Sequence, residues 1–241
     1  MIFAQVNPAR SFETGSPSHL GWLLFCAVAL VVFGWKGKAA KRNGDLAVLR
    51  RLKHFAGYGC LVVWVVNTVF WCLPSRFAWS SSLPLQFCNL ANLIGAAAVL
   101  GGGRFWKTIL YFWMPVLCIW AFLTPVLHGG YATFEFWIFW IYHLFIPLAL
   151  TEVLVVQDYR PTFADLKKAW MFTVGYMALL AVPDYLFEWN YGFVGPSKPD
   201  SPTLIDVLGP YPWRLFWMIA IGTVLYLLVW LPGRRRSIEP C

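Results

Sequence analysis

The sequence predicts an all-α protein, an integral membrane bundle of seven transmembrane helices with its N-terminus outside and its C-terminus cytoplasmic. Three observations carry that prediction. Of 241 residues, 59% are hydrophobic and only 12% are charged. Soluble domains carry about a quarter charged residues, so this chain lacks the charge to coat a water-soluble surface. Apolar runs recur along it, each near the ~20 residues that a bilayer crossing requires. Finally, Lys and Arg concentrate in alternate connections, the pattern left when short basic loops stay in the cytoplasm. The formal net charge of +8 is thereby a topology signal and not a nucleic-acid surface.

Residues 1–18 form a polar extracytoplasmic arm with Pro8, Gly15 and Pro17. The arm lacks the basic start and small-residue cleavage site of a signal peptide, so the first apolar segment reads as retained. The transmembrane domain covers 19–233, with spans at about 19–35, 55–73, 84–100, 105–127, 134–156, 166–187 and 212–231. Between the first two spans lie Lys36, Lys38, Lys41, Arg42, Arg50, Arg51 and Lys53 against the single acid Asp45. This is the strongest inner loop. Gly101-Gly102-Gly103 ends the third span, and Arg104 and Lys107 mark the next inner turn. No Lys-Ser/Thr follows the glycines, so they punctuate the chain and do not cradle a phosphate. Pro115 should kink the fourth span. His128-Gly129-Gly130 is an outer turn, Asp158 to Thr162 an inner one, and Glu188 to Tyr211 a longer, proline-rich outer loop. Residues 234–241, opening with Arg234-Arg235-Arg236, are a basic cytoplasmic tail.

Six cysteines are present, with no CxxC spacing and no zinc pattern. Cys26, Cys60 and Cys118 read as small core residues. No metal or cofactor is expected.

Polar groups inside spans are costly and by default mark function. The third span opens with Gln86, Cys88, Asn89 and Asn92 within two turns. The fifth carries Tyr142, His143 and, further in, Glu152; the sixth carries Asp184 beside Pro183. Counted at 1.5 Å per residue from the outer boundary, all but Glu152 fall in the outer half of the membrane. Glu152 reads as pairing with a basic loop residue. A Cys with a His in reach is a nucleophile and its base: the imidazole takes the thiol proton and the thiolate attacks an ester carbonyl. Gln86, Asn89 or Asn92 would orient the His or donate to the oxyanion. Asp184 would fix the imidazole tautomer. The competing reading is a polar cluster that glues helices together.

Leu83-Pro84-Leu85-Gln86-Phe87-Cys88-Asn89-Leu90 resembles the start of the third helix in the YwaF-like bacterial membrane proteins. Leu123-Thr124-Pro125, Phe139-Trp140-Ile141-Tyr142-His143, Asn190 to Pro199 and Leu208 to Trp213 fit the same pattern. That group is similar to the eukaryotic transmembrane protein 164 family. The resemblance implies acyl transfer to lyso-phospholipids through a cysteine, which makes Cys88 the acyl acceptor and His143 its base. Gln86 departs from the pattern, since many bacterial members carry His there. The implied reaction moves a fatty acyl chain between a phospholipid and a lyso-lipid or lipid-linked acceptor by a thioester. Its partners are membrane phospholipids and lyso-lipids, and its setting is a bacterial plasma membrane. Asn190, Tyr191, Lys198 and His128 are candidate head-group contacts. The alternative is a non-enzymatic lipid-binding or transport protein with a polar cavity. A retinal photoreceptor is disfavoured because the seventh span holds no lysine for a Schiff base.

Overall fold

The computed structural model describes residues 11–197 and 203–235, and among these it contains helices and no strand. The helices are α1 (Pro17–Asn43), α2 (Leu46–Trp71), α3 (Phe87–Leu100), α4 (Arg104–Trp113), α5 (Trp120–Leu123), α6 (Phe134–Val155), α7 (Phe163–Leu186) and α8 (Trp213–Arg235). A π-helical turn, Met114–Cys118, joins α4 to α5. Six helices among the described residues are long and apolar enough to cross a membrane, counting α4 to α5 as one. α3 is a shorter apolar helix. The expected third span is therefore cut back: its helix starts at Phe87, not Pro84, and its 14 residues reach about 21 Å, short of a ~30 Å hydrocarbon core.

α6 is the axis. Its most apolar window is 67% buried, against 6% for α8. α8 instead turns Phe216, Trp217, Val224 and Leu228 outward, a surface suited to lipid. α2 lies close against α3 and α6 because small residues permit it. A Cβ on Gly59 would sit 1.9 Å from the Phe145 ring, and one on Gly95 would press on Ala149 and Cys60.

The expected basic loop Lys36–His54 is almost wholly helical. α1 continues to Asn43 and α2 begins at Leu46. Lys and Arg are good helix formers, and the whole turn is made by Gly44, in the left-handed region at φ 68°, and Asp45, whose carboxylate caps Val48 N. Lys41 pairs with Asp158, which brings this turn to the α6–α7 turn. There Arg104 Nη2 meets Asp165 at 2.6 Å, Thr108 and Tyr159 share a 2.8 Å hydrogen bond, and Thr162 with Asp165 forms a capping box at the start of α7. These three basic connections thus gather at one end of the bundle, called the basic end below. Burial pushes the Tyr159 phenol up, so it stays a neutral donor.

At the opposite end, the described part of the N-terminal arm packs back on the bundle. Phe12 N donates to His128 O at 2.8 Å, and the Phe12 ring sits against His19 and Trp140. Pro115 has no N–H to offer the Tyr111 carbonyl, and its ring crowds that carbonyl. The expected kink is accommodated as the wider π turn.

Candidate functional site

α3 begins where the chain bends inward from the loop 72–86. Gln86 is its N-cap residue but makes no side-chain cap bond; its Oε1 accepts instead from Gly192 N at 2.8 Å. Gly192 is at φ 62°, and a Cβ there would meet the Phe87 ring at 2.9 Å. Only glycine lets the loop 189–197 sit this close over the start of α3. Tyr191 fastens the same loop, donating to Trp79 O at 2.6 Å and accepting from Leu83 N at 3.0 Å. Burial raises the Tyr191 phenol and keeps it protonated. Arg214, almost wholly buried, donates to Gly195 O and, at 3.0 Å, to Ser197 O.

Cys88 is the second residue of α3 and is half-buried. The His143 imidazole of α6 and the Cys118 thiol of the π turn are its titratable neighbours. His143 Nδ1 lies 2.7 Å from Phe139 O. A carbonyl only accepts, so Nδ1 carries the hydrogen and Nε2 keeps a lone pair for the thiol. The backbone, not Asp184, therefore sets the tautomer. Around the pair, Tyr142 Oη donates to Asn89 Oδ1, and Asn92 Nδ2 donates at 3.3 Å to both Cys88 O and Tyr142 O. Asn92 is a fully buried brace between α3 and α6. Because Gln86 does not cap α3, the first N–H groups of the helix stay available beside Cys88. A helix N-terminus favours negative charge there.

One face of this cluster opens into a cavity of about 1010 Å³, at the upper end of the ~300–1,000 Å³ usual for ligand pockets. Gln86, Cys88, Asn89, Tyr142, His143, His128 and Asn190 line it, with Arg76 and Glu135. An apolar flank is supplied by Val116 and Leu117 and by Met218, Ile221 and Leu225 of α8. The predicted residues are thus divided. Asn92, Asp184 and Tyr191 stand outside the lining. Asp184 is wholly buried with both oxygens unpartnered, facing the Tyr191 backbone. Lys198 lies outside the described residues.

Sequence reasoning missed Arg76, Glu135 and Cys118. The first two are loop or helix-start charges whose relation to the cavity depends on folding. Cys118 read as core, and it is wholly buried. The signal beside it was Pro115, which sets the local helical phase. Among the described residues no group of His, Cys, Asp and Glu could hold a metal ion.

A family model described as the TMEM164 family matches residues 14–230. No curated protein and no solved structure matches the chain. The chain belongs to the TMEM164 family, and is a multi-pass integral membrane protein.

Proposed function

We propose that this member of the TMEM164 family is a membrane-embedded lipid acyltransferase in which Cys88 carries the acyl group and His143 handles the proton. The observation that carries the reading is a thiol at a helix N-terminus and an imidazole with a fixed tautomer that together line the wall of a large and mainly apolar cavity. Helix glue would have no need of such a cavity.

The steps balance with these groups alone. His143 Nε2 takes the proton from Cys88 Sγ. The sulfur attacks the ester carbonyl of a phospholipid, and the oxyanion is met by the uncapped N–H groups of α3, with Asn89 beside them. The tetrahedral species collapses, the C–O bond breaks, and the imidazolium gives its proton to the departing alkoxide. A lyso-lipid leaves. The hydroxyl of an acceptor lipid then loses its proton to His143 and attacks the thioester, which restores the thiol. An apolar cavity suits this chemistry because water, which would hydrolyse the thioester, is scarce there.

The basic end belongs in the cytoplasm by the positive-inside bias, which places the cavity in the outer leaflet. A bacterial plasma membrane is the proposed setting. Arg76, His128 and Asn190 are the groups placed to meet a head group.

The test is intact-protein mass spectrometry of detergent-purified protein after incubation with mixed phospholipids. A hydroxylamine-labile acyl adduct is expected on the wild type and absent from Cys88→Ala. A wild type with no adduct, even with acceptor withheld, would leave the cavity as a lipid-binding or transport site.

A further inference from the structure

α4 and α8 are fastened to one another toward the basic end. Tyr111 Oη donates to Val229 O at 2.9 Å, and the Phe112 and Tyr226 rings stack with centroids 5.0 Å apart. Those pairs set an antiparallel register, in which a step outward along α4 is a step back along α8. Carried through the π turn, that register brings Leu117 level with Gly222 and Ala121 level with Met218. All four line the cavity, and none of them is buried. α8 packs mainly on α7, on the π turn and on the short turn Leu204–Leu208; α5 is not among its main neighbours. Outward of the π turn the two segments therefore part, and the cavity runs between them as a slot.

The slot is closed on one side and open on the other. Around α8, at 100° per residue, Thr223 and Tyr226 stand to one side of the cavity-lining stripe Met218, Gly222 and Leu225. Both bond to α7, Thr223 with Trp170 at 2.9 Å and Tyr226 with Thr173 at 2.6 Å. On the other side the stripe passes through Ile221 directly to the exposed Trp217, Val224 and Leu228, with no buried residue between. That exposed face is the one suited to lipid. Across the slot stand Leu117, Trp120 and Ala121, and the Trp120 N–H is spent on Val116 O at 2.8 Å. Gly222 lies in mid-helix, where glycine costs stability and most often serves close packing or room. A Cβ on it would have no described atom within 4 Å, so what it serves is room.

We propose that the slot between α5 and α8 takes one fatty acyl chain of a bilayer phospholipid, admitted sideways past Trp120 and Ile221, and that Gly222 at its throat sets how far the chain enters. An acyl chain is the occupant because the opening faces hydrocarbon and the slot walls offer it apolar side chains, whereas Cys88 and His143 line the cavity from α3 and α6. The proposal deepens the acyltransferase reading by giving the chain its place, and it does not need Cys88 to react.

The experiment places the full chain in lipid nanodiscs containing a diacyl phosphatidylcholine with a diazirine at the end of one chain. After irradiation, the crosslinked residues are mapped by peptide mass spectrometry. Crosslinks are expected on the slot residues Leu117, Ala121, Met218 and Leu225, and also on the outward Trp217 and Val224 from surrounding lipid. In Gly222→Leu and Gly222→Phe the slot crosslinks should fall about tenfold relative to the outward ones, since burying two methylenes fewer is already worth about that factor. Gly222→Ala should stay close to wild type. So should Gly175→Phe, at an equally open glycine of α7 that does not line the cavity. Wild-type crosslinks confined to the outward residues would overturn the proposal. So would a folded Gly222→Leu or Gly222→Phe that keeps the slot share, or a Gly175→Phe that loses it equally. The two readings fail separately. Slot crosslinks with no acyl adduct on Cys88 remove acyl transfer and leave a lipid site; an adduct on Cys88 with slot crosslinks indifferent to residue 222 does the reverse.

Discussion

The bundle buries two polar clusters, one midway along α6 and one at its C-terminal end, and they are built on opposite principles. At the basic end nearly every group is answered. Asp165 accepts from Arg104, Thr108 and Thr162, and Tyr159 shares its hydroxyl with Thr108. Arg160 spends its guanidinium on the carbonyls of Leu154 and Tyr159. At the cysteine end the satisfaction is partial. His143 uses one nitrogen, Gln86 leaves α3 uncapped, and the Asn92 Oδ1 has no partner. A fully paired cluster inside a membrane protein is a fastener. One that is left incomplete and faces a cavity has capacity reserved for something that arrives. The lesson is that satisfaction, more than polarity or depth, separates structural from chemical groups in this chain.

His143→Ala is the sharpest attempt to break that contrast. It removes the proposed base but no fastening bond between helices, because the Nδ1 hydrogen bond of His143 runs to Phe139 O of its own helix. The rate of acyl loading on Cys88 should fall by about 10²–10⁴, while the thermal transition in detergent moves little. A variant that unfolds without losing loading rate per folded molecule would put His143 on the structural side.

Asp165→Ala should do the opposite. The carboxylate is buried while its partner Arg104 is 54% exposed, so the freed guanidinium turns to water and escapes the full cost of a stranded charge. A loss of about 1–3 kcal/mol follows, read as a lower transition temperature. Loading per folded molecule should match wild type. A selective loss of loading at unchanged stability would show that the two ends are coupled through α6.

Tyr191→Phe tests the roof of the cavity with a smaller effect. It strands Leu83 N and frees Trp79 O, at about 1–2 kcal/mol. Because this loosens the loop 189–197 and not the Cys88–His143 pair, the concentration of lipid needed for half-maximal loading should rise more than the loading rate falls. The reverse split would give Tyr191 a part in the chemistry.

Much of this architecture was legible in the residues. Apolar runs announced the helices, and the alternation of Lys and Arg marked the end of the bundle at which α1 meets α2. The polar band from Gln86 to Asn92 and the pair Tyr142-His143 were visible because uncompensated amides and imidazoles are expensive in hydrocarbon. What was hidden is what depends on helix phase and on backbone partners. Whether Asp184 or Phe139 O would hold His143 could not be read from spacing, since every helical residue has a carbonyl four positions back. Cys118 was hidden for a related reason. A π turn changes which side chain faces a neighbour, and Pro115 signals that the helix is disturbed without saying which way it turns. The helical course of Lys36–His54 was masked by charge, which marks contact with water and not the absence of a helix.

Glu152 is the exception that the contrast must survive. It lies toward the basic end, fully buried, and its Oε2 accepts from Gln157 Nε2 at 2.5 Å while Oε1 has no partner. Gln157 in turn holds Val99 O at 3.2 Å, so the pair ties the end of α6 to the end of α3. Yet Glu152 does not line the cavity. An incomplete group without space in front of it has nothing to receive, so by the argument above it is a fastener with a spare oxygen. Glu152→Gln keeps an oxygen for Gln157 to donate to and puts an amide where the unpartnered oxygen was. One unpaired atom replaces another, and stability should stay within about 1 kcal/mol of wild type. Acyl loading and its pH profile should not change. If loading instead lost a pH-dependent limb in this variant, Glu152 would be moving a proton, and partial satisfaction alone, without a cavity, would be enough to mark a working group.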